Sequence, residues 1–193
     1  MCGQAVERAA LRIEVPEHDF KLDRMKYLKM ERIWAPWRID YVVGGKKEPG
    51  CIFCNKPASR EDDDNLIVHR ARGAFTMMNK FPYTNGHLLV SPYKHVEDIC
   101  LLEPEENTLI AKELCRAVKV LRAIMHPEGF NIGINLGVVA GAGIHEHLHY
   151  HVVPRWSGDT NIMPVLADIR VIPEHLLSTC LKLREGFHSL SPE

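Results

Sequence analysis

Residues 145–151 read HEHLHYH and hold four of the chain's eleven histidines. These four, His145, His147, His149 and His151, fall at every second position. In an extended strand successive side chains point to opposite faces, so all four would share one face over roughly 20 Å. Glu146, Leu148, Tyr150 and Val152 would share the other face, which is apolar enough to pack on a core. Three readings fit such a row: a solvated polar strand face, a metal site of the H-x-H type, or an array of catalytic imidazoles. Neutral imidazole is a good nucleophile near neutral pH, because its unperturbed pKa is about 6.5. Attack on an α-phosphorus gives a phosphoramidate and splits one difficult transfer into two easier ones. One ring nitrogen must then be free and the other protonated, and a backbone carbonyl can fix that tautomer. A flanking imidazole can donate to a phosphate oxygen where charge develops.

A second pattern is CIFC, residues 51–54. Cys51 and Cys54 have zinc-ligand spacing, and a structural metal site wants four ligands. Two reduced thiols in a tight turn, or a redox pair, are the other readings. The redox reading lacks the strand–CxxC–helix context it needs. Cys100, Cys115 and Cys180 sit in apolar contexts that suit a core.

The whole chain bounds the function. Its 193 residues suit one domain with appendages, and 46% hydrophobic residues suffice for a core. A formal net charge of −1 argues against a general nucleic-acid binder, while leaving room for a small phosphate-bearing ligand. No apolar run approaches the roughly 18–20 residues of a membrane span, and the start lacks the apolar centre of a signal peptide. A cytoplasmic, reducing location is expected, with no membrane partner.

The elements that must position the two patterns follow from local periodicity. Residues 1–30 read as an arm with scattered charge, and the domain is expected over 31–193. ERIWAPWRIDYV places Trp34, Trp37 and Tyr41 close together, as in a docked segment. LIVHRA and AFTMMN read as two strands turning at Arg72-Gly73, HLLVSPY as a third, FNIGINLG as a fourth and HLHYHVVPR as a fifth. Leu109, Ile110, Leu114, Ala117, Val118, Leu121, Ile124 and Met125 recur at helical spacing between Pro104 and the stop at Pro127 and Gly129. IPEHLLSTCLKLREGF predicts a second helix. Strands clustered about one long helix predict an α+β fold with a mostly antiparallel five-stranded sheet, one long helix and a C-terminal helix.

HLHYHVV fits histidine-apolar repeated three times and followed by two apolar residues. In this it resembles the histidine-triad family, with MMNKFPYTNGHLLVSPYKHVED and GFNIGINLG in agreement. HLHYHVVPRWSGDTNIMPV and ERIWAPWR are most similar to the branch containing diadenosine tetraphosphate phosphorylases (ATP adenylyltransferases). The resemblance spans about residues 31 to 175. It implies a histidine-triad fold with His149 as the nucleophile that takes up AMP and His151 at the α-phosphate. It also implies Asn79 at the ribose, Asn135, Gly141 and Gly143 around the phosphates, and Trp156 closing over substrate or packing across a dimer. Glycines there would let backbone N–H groups approach an anion. Related members with a CxxC near the front imply one structural zinc held by Cys51, Cys54, His95 and His147.

One departure stands out. Many members carry a glutamine or serine just before the triad to help the leaving group, and here the stretch is GAGIHE. His145 is a candidate substitute. His69, His87, His126, His175 and His188 receive no role. The reading implied by the resemblance is cleavage of diadenosine tetraphosphate with inorganic phosphate to ADP and ATP through an adenylyl-histidine. The alternative is a hydrolase of dinucleoside polyphosphates or other AMP conjugates that releases AMP. A nucleotide-binding module without turnover and a barrel metalloenzyme are the remaining readings. A homodimer is the assembly the family implies.

Overall fold

In the computed structural model, which describes residues 50–159 and 172–190, the apolar alternation over 66–93 forms three strands. They are β1 (Ile67–Arg70), β2 (Ala74–Met78) and β3 (Leu88–Pro92). Two more follow, β4 (Gly129–Ile134) and β5 (Tyr150–Arg155). The sheet order is β1-β2-β3-β5-β4, and every pairing is antiparallel. This is the α+β, five-stranded arrangement expected. The arm at 1–30, the segment at 34–41 and the boundary between them lie outside the described residues. No helix among the described residues is long and apolar enough to cross a membrane.

The sheet is covered on both faces, which explains why all of β2 and β3 is buried. On one face Ala74, Met78, Leu88, Val90, Leu148 and Val152 meet the helices α2 (Pro104–Met125) and α3 (Leu176–Ser189). On the other, Ile67, Phe75, Met77 and Leu89 meet Phe53 of a short helix, α1 (Ile52–Ala58). No periodic pattern in residues 52–58 predicts α1. Its first turn is the CIFC stretch itself.

Helix α2 starts as its sequence requires. Pro104 takes the first turn, and Glu103 and Glu106 form a reciprocal capping box. It stops at Met125, as the Pro127–Gly129 signal predicts, with His126 left-handed at φ 49°. The residue before a proline is pushed out of the helical region, so the helix ends upstream of Pro127. Within α2, Glu113 is buried at 2% exposure. Its carboxylate accepts from Thr76 Oγ1 at 2.5 Å and meets His69 Nδ1 at 2.8 Å, and the His69 ring stacks on Phe187. That polar contact ties β1, β2, α2 and α3 together without leaving a buried charge unpaired.

The fifth strand departs from expectation. HLHYHVVPR predicts pairing from His147, whereas the ladder with β3 begins at Val90↔Tyr150. Pro92 supplies the reason, because it has no N–H to give to a ladder. Leu148 N–H instead donates to Val96 O at 2.6 Å, and Ser91 Oγ donates to Leu148 O at 2.9 Å. His147, Leu148 and His149 are thus buried but outside the regular strand. The two-residue alternation survives, with Leu148 and Val152 in the helix-side core.

Helix α3 lies close on α2 at Gly186. A Cβ there would stand 2.9 Å from Ile124 Cγ1 and 3.0 Å from Val120 Cγ1. Gly186→Val is expected to destabilise the fold by about 1–3 kcal/mol through overpacking. Urea denaturation measures this, and an unchanged midpoint would contradict the close α2–α3 approach.

Candidate active site and metal cluster

Three imidazoles of the HLHYH stretch meet in one place, and their hydrogen bonds determine which nitrogen carries each proton. His149 Nδ1 lies 2.9 Å from the carbonyl oxygen of His147. A carbonyl only accepts, so Nδ1 carries the proton and Nε2 keeps a free lone pair. His147 Nε2 donates to Pro92 O at 3.0 Å, which leaves Nδ1 of His147 with a free lone pair. His151 Nδ1 lies 3.0 Å from His87 Nε2. The Tyr83 backbone N–H donates to His87 Nδ1 at 3.1 Å, so His87 is protonated on Nε2 and donates to His151. His151 then presents its own Nε2–H outward. An imidazole with a free lone pair, His149, and one with an N–H to donate, His151, therefore stand side by side, with ring centroids 5.1 Å apart.

Burial sets the charge state. His147 is 1% and His149 8% exposed. Loss of solvation holds both below the ordinary imidazole range. His151 is pushed down to about 4, first by burial and then by the nearby His149. All three are neutral at pH 7, as nucleophilic attack by His149 requires.

His87 is the residue that sequence reasoning missed. It is fully buried, and its backbone O accepts from Asn79 N–H at 2.9 Å. A histidine heading the apolar strand HLLV was the only local hint. Its diagonal relation to His151 appears once the register Leu89↔His151 is known. Phe53 was missed too. Its ring stacks on His149 with centroids 4.6 Å apart, and it also meets His147 at 5.4 Å.

The other expected residues are placed as follows. Asn79 directly follows β2; its Oδ1 accepts from Phe81 N–H, and its Nδ2 lies 3.3 Å from His87 Nδ1. Asn135 follows β4 directly, one residue past the Ile134↔Tyr150 pair. Gly141 closes a short 3-10 turn, Val138–Ala140, at φ 90°, and Gly143 is exposed nearby. That positive φ is one that glycine adopts without strain. Trp156 lines a separate cavity of about 310 Å³ with Asn85, Met125, Glu174, Thr179 and Lys182. His145 is exposed and outside the strand.

Beside the triad, Cys51, Cys54, His95 and His147 bring four donor atoms within 4.8 Å of one another. Cys51 Sγ lies 3.3 Å and Cys54 Sγ 3.5 Å from His147 Nδ1. Cys54 Sγ lies 3.3 Å from His95 Nδ1, and the two Nδ1 atoms are 3.2 Å apart. A tetrahedral ion with bonds of about 2.3 Å to sulfur and about 2.05 Å to nitrogen sets S···N edges of about 3.6 Å and N···N edges of about 3.3 Å. The four donors fit that shape. His147 Nε2–H on the Pro92 carbonyl is the outer-shell bond that aims Nδ1 at such an ion.

Comparison with known proteins agrees with this geometry. The HIT domain profile matches residues 59–158. An AP-4-A phosphorylase of Mycobacterium tuberculosis is 34% identical over 158 residues, covering 78% of this chain and 81% of that protein. The crystal structure of a Zn-bound histidine triad family protein from Mycobacterium smegmatis aligns with a TM-score of 0.58 at 27% identity, covering 73% of this chain and 95% of that one. A hypothetical histidine triad nucleotide-binding protein from Sulfolobus tokodaii shares the fold at a TM-score of 0.57 and 23% identity, covering 72% and 93%. With its triad assembled as described, the chain belongs to the histidine triad (HIT) family.

Proposed function

We propose that this chain is a nucleotidyltransferase that cleaves diadenosine tetraphosphate with inorganic phosphate to ADP and ATP. The observation that carries the proposal is the free Nε2 lone pair of His149, set by the bond from Nδ1 to the His147 carbonyl. The 34% identical AP-4-A phosphorylase supports the substrate class. In the first step His149 Nε2 attacks the α-phosphorus. An N–P bond forms, the P–O bond to the ATP leaving group breaks, and the imidazolium charge is shared with the His147 carbonyl. His151 Nε2–H donates to a non-bridging oxygen as charge builds there. A phosphate oxygen then attacks the same phosphorus, the N–P bond breaks, ADP leaves, and His149 regains its lone pair. Water in place of phosphate gives AMP and a hydrolase from the same site.

Asn79 is assigned to the ribose hydroxyls and Asn135, Gly141 and Gly143 to the phosphates, whereas the separate cavity lined by Trp156 gives it no support as a substrate contact. One zinc ion per chain is assigned to Cys51, Cys54, His95 and His147, supported by the tetrahedral spacing of the donors. It would supply a structural cross-link between α1 and the catalytic segment. A homodimer is supported by the edge position of β4 and the exposed Ile132, Leu136, Val138 and Val139 beside it. The free thiols suit a reducing, cytoplasmic compartment.

Incubation with diadenosine tetraphosphate, with and without phosphate, separates the two outcomes. ADP plus ATP only with phosphate is expected; AMP plus ATP in water identifies the hydrolase, and no product in either case removes both. His149→Ala is expected to abolish turnover while nucleotide binding persists, and retained turnover would exclude His149 as nucleophile. Elemental analysis is expected to find about one zinc per chain, and its removal should lower the thermal midpoint. A stoichiometry near zero after purification in zinc-containing buffer would reject the site.

His151 adds a pH signature. Its folded pKa of about 4 lies below the unfolded value of about 6.5. Between these values the unfolded chain binds a proton that the native chain refuses, so stability declines as pH falls from about 6.5 toward 4. His151→Ala should shrink that decline in urea melts taken across the window. An identical pH slope in both proteins would contradict the buried, neutral state of His151.

A further inference from the structure

Cys51 and Cys54 flank Phe53, whose ring stacks on the proposed nucleophile. Phe53 is 1% exposed, and its ring lies 27° from parallel to His149 at 4.6 Å. It belongs to the small core with Ile67, Phe75, Met77 and Leu89. Two features hold helix α1, which carries it. At the C-terminal end Arg70 Nη1 donates to Pro57 O at 2.7 Å, and Nη2 to Ser59 O at 2.9 Å. At the N-terminal end the cysteines meet His147 and His95. The first turn, and Phe53 with it, is therefore placed by the Cys/His cluster together with this small core.

The His149 ring needs two restraints. The bond from Nδ1 to the His147 carbonyl fixes one atom of the ring. The attachment at Cγ holds a second atom, but a hydrogen bond tolerates some play in length and angle, and that play, taken up by the side-chain torsions, moves Nε2. A flat ring stacked on its face removes this freedom. Both restraints adjoin the cluster: His147 supplies the carbonyl, and Phe53, next to Cys54, supplies the stacked face.

We propose that Phe53 is a positioning residue for His149, held in place by Cys51 and Cys54, so that the Cys/His cluster governs the rate of nucleotidyl transfer more than substrate affinity. The inference rests on His149 being the nucleophile. A misaimed attacking atom costs rate steeply while leaving the ground-state complex largely intact.

The test compares Phe53→Leu, Phe53→Tyr, Cys54→Ser and His149→Ala with the parent protein on diadenosine tetraphosphate. Phe53→Leu keeps an apolar side chain and removes the flat ring. It is expected to lower kcat by about tenfold to a hundredfold with KM changed less than about threefold. In NMR spectra of the parent, the His149 ring protons should be shifted by the Phe53 ring current, and that shift should collapse in Phe53→Leu and weaken in Cys54→Ser. Phe53→Tyr keeps the ring and should keep kcat. A rise in KM at unchanged kcat would make Phe53 a substrate contact and overturn the proposal. So would an unshifted His149 signal in the parent protein, a reading that does not depend on any variant folding. A folded Phe53→Tyr that loses kcat overturns it as well. Turnover retained by His149→Ala sinks the nucleophile assignment itself. An inactive His149→Ala beside a fully active Phe53→Leu sinks only the positioning role.

Discussion

His149 Nδ1–H donates a hydrogen bond to the carbonyl oxygen of His147, and that bond decides which ring nitrogen keeps a free lone pair. Much of the site is arranged around keeping this carbonyl out of the sheet ladder. Pro92 ends the pairing of β3 with β5 at Val90↔Tyr150, so residues 147–149 run beside the sheet without joining it. The same proline has a carbonyl to spare, and it receives the His147 Nε2 proton. His147 thereby faces two ways. Its ring turns Nδ1 toward two thiols and His95, and its backbone holds the neighbouring imidazole. A residue whose side chain is tied into a cluster makes a rigid place from which to fix a catalytic tautomer.

The two-sided sheet supplies the rest. Its helix side carries the larger core, anchored by Leu148 and Val152 beneath α2 and α3. Its other side carries a small core centred on Phe53 and Phe75, and the triad histidines emerge there. Burial on that side lowers the imidazole pKa values, which favours neutral rings near pH 7. The desolvation that would penalise a charged residue at this place suits a neutral nucleophile.

Much of this was legible in the chain. The strand alternation in AFTMMN and HLLVSP, the long helix from Pro104 and the C-terminal helix all follow from patterns a few residues long. The metal-like cluster combined two close cysteines with distant histidines that the family resemblance pointed to, and the fold brings all four together. Three features were not legible. Helix α1 was hidden because a seven-residue helix has too few turns to show a periodic pattern. The late start of β5 depended on a proline in a different strand. His87 looked like any turn histidine until the register set it against His151.

By itself, the sequence determined the chemistry available: alternating imidazoles, a CxxC pair, and apolar periods that specify which elements form. Those signals are local, since backbone geometry repeats every two residues in a strand and every 3.6 in a helix. Tertiary structure alone decided which nitrogen is free and which histidine backs which. It also decided that Phe53 would stack on His149. These outcomes join positions 64 and 96 residues apart, such as His87 with His151 and Cys51 with His147. Contacts at that range depend on strand register and on how both faces of the sheet are covered, and no local period encodes either.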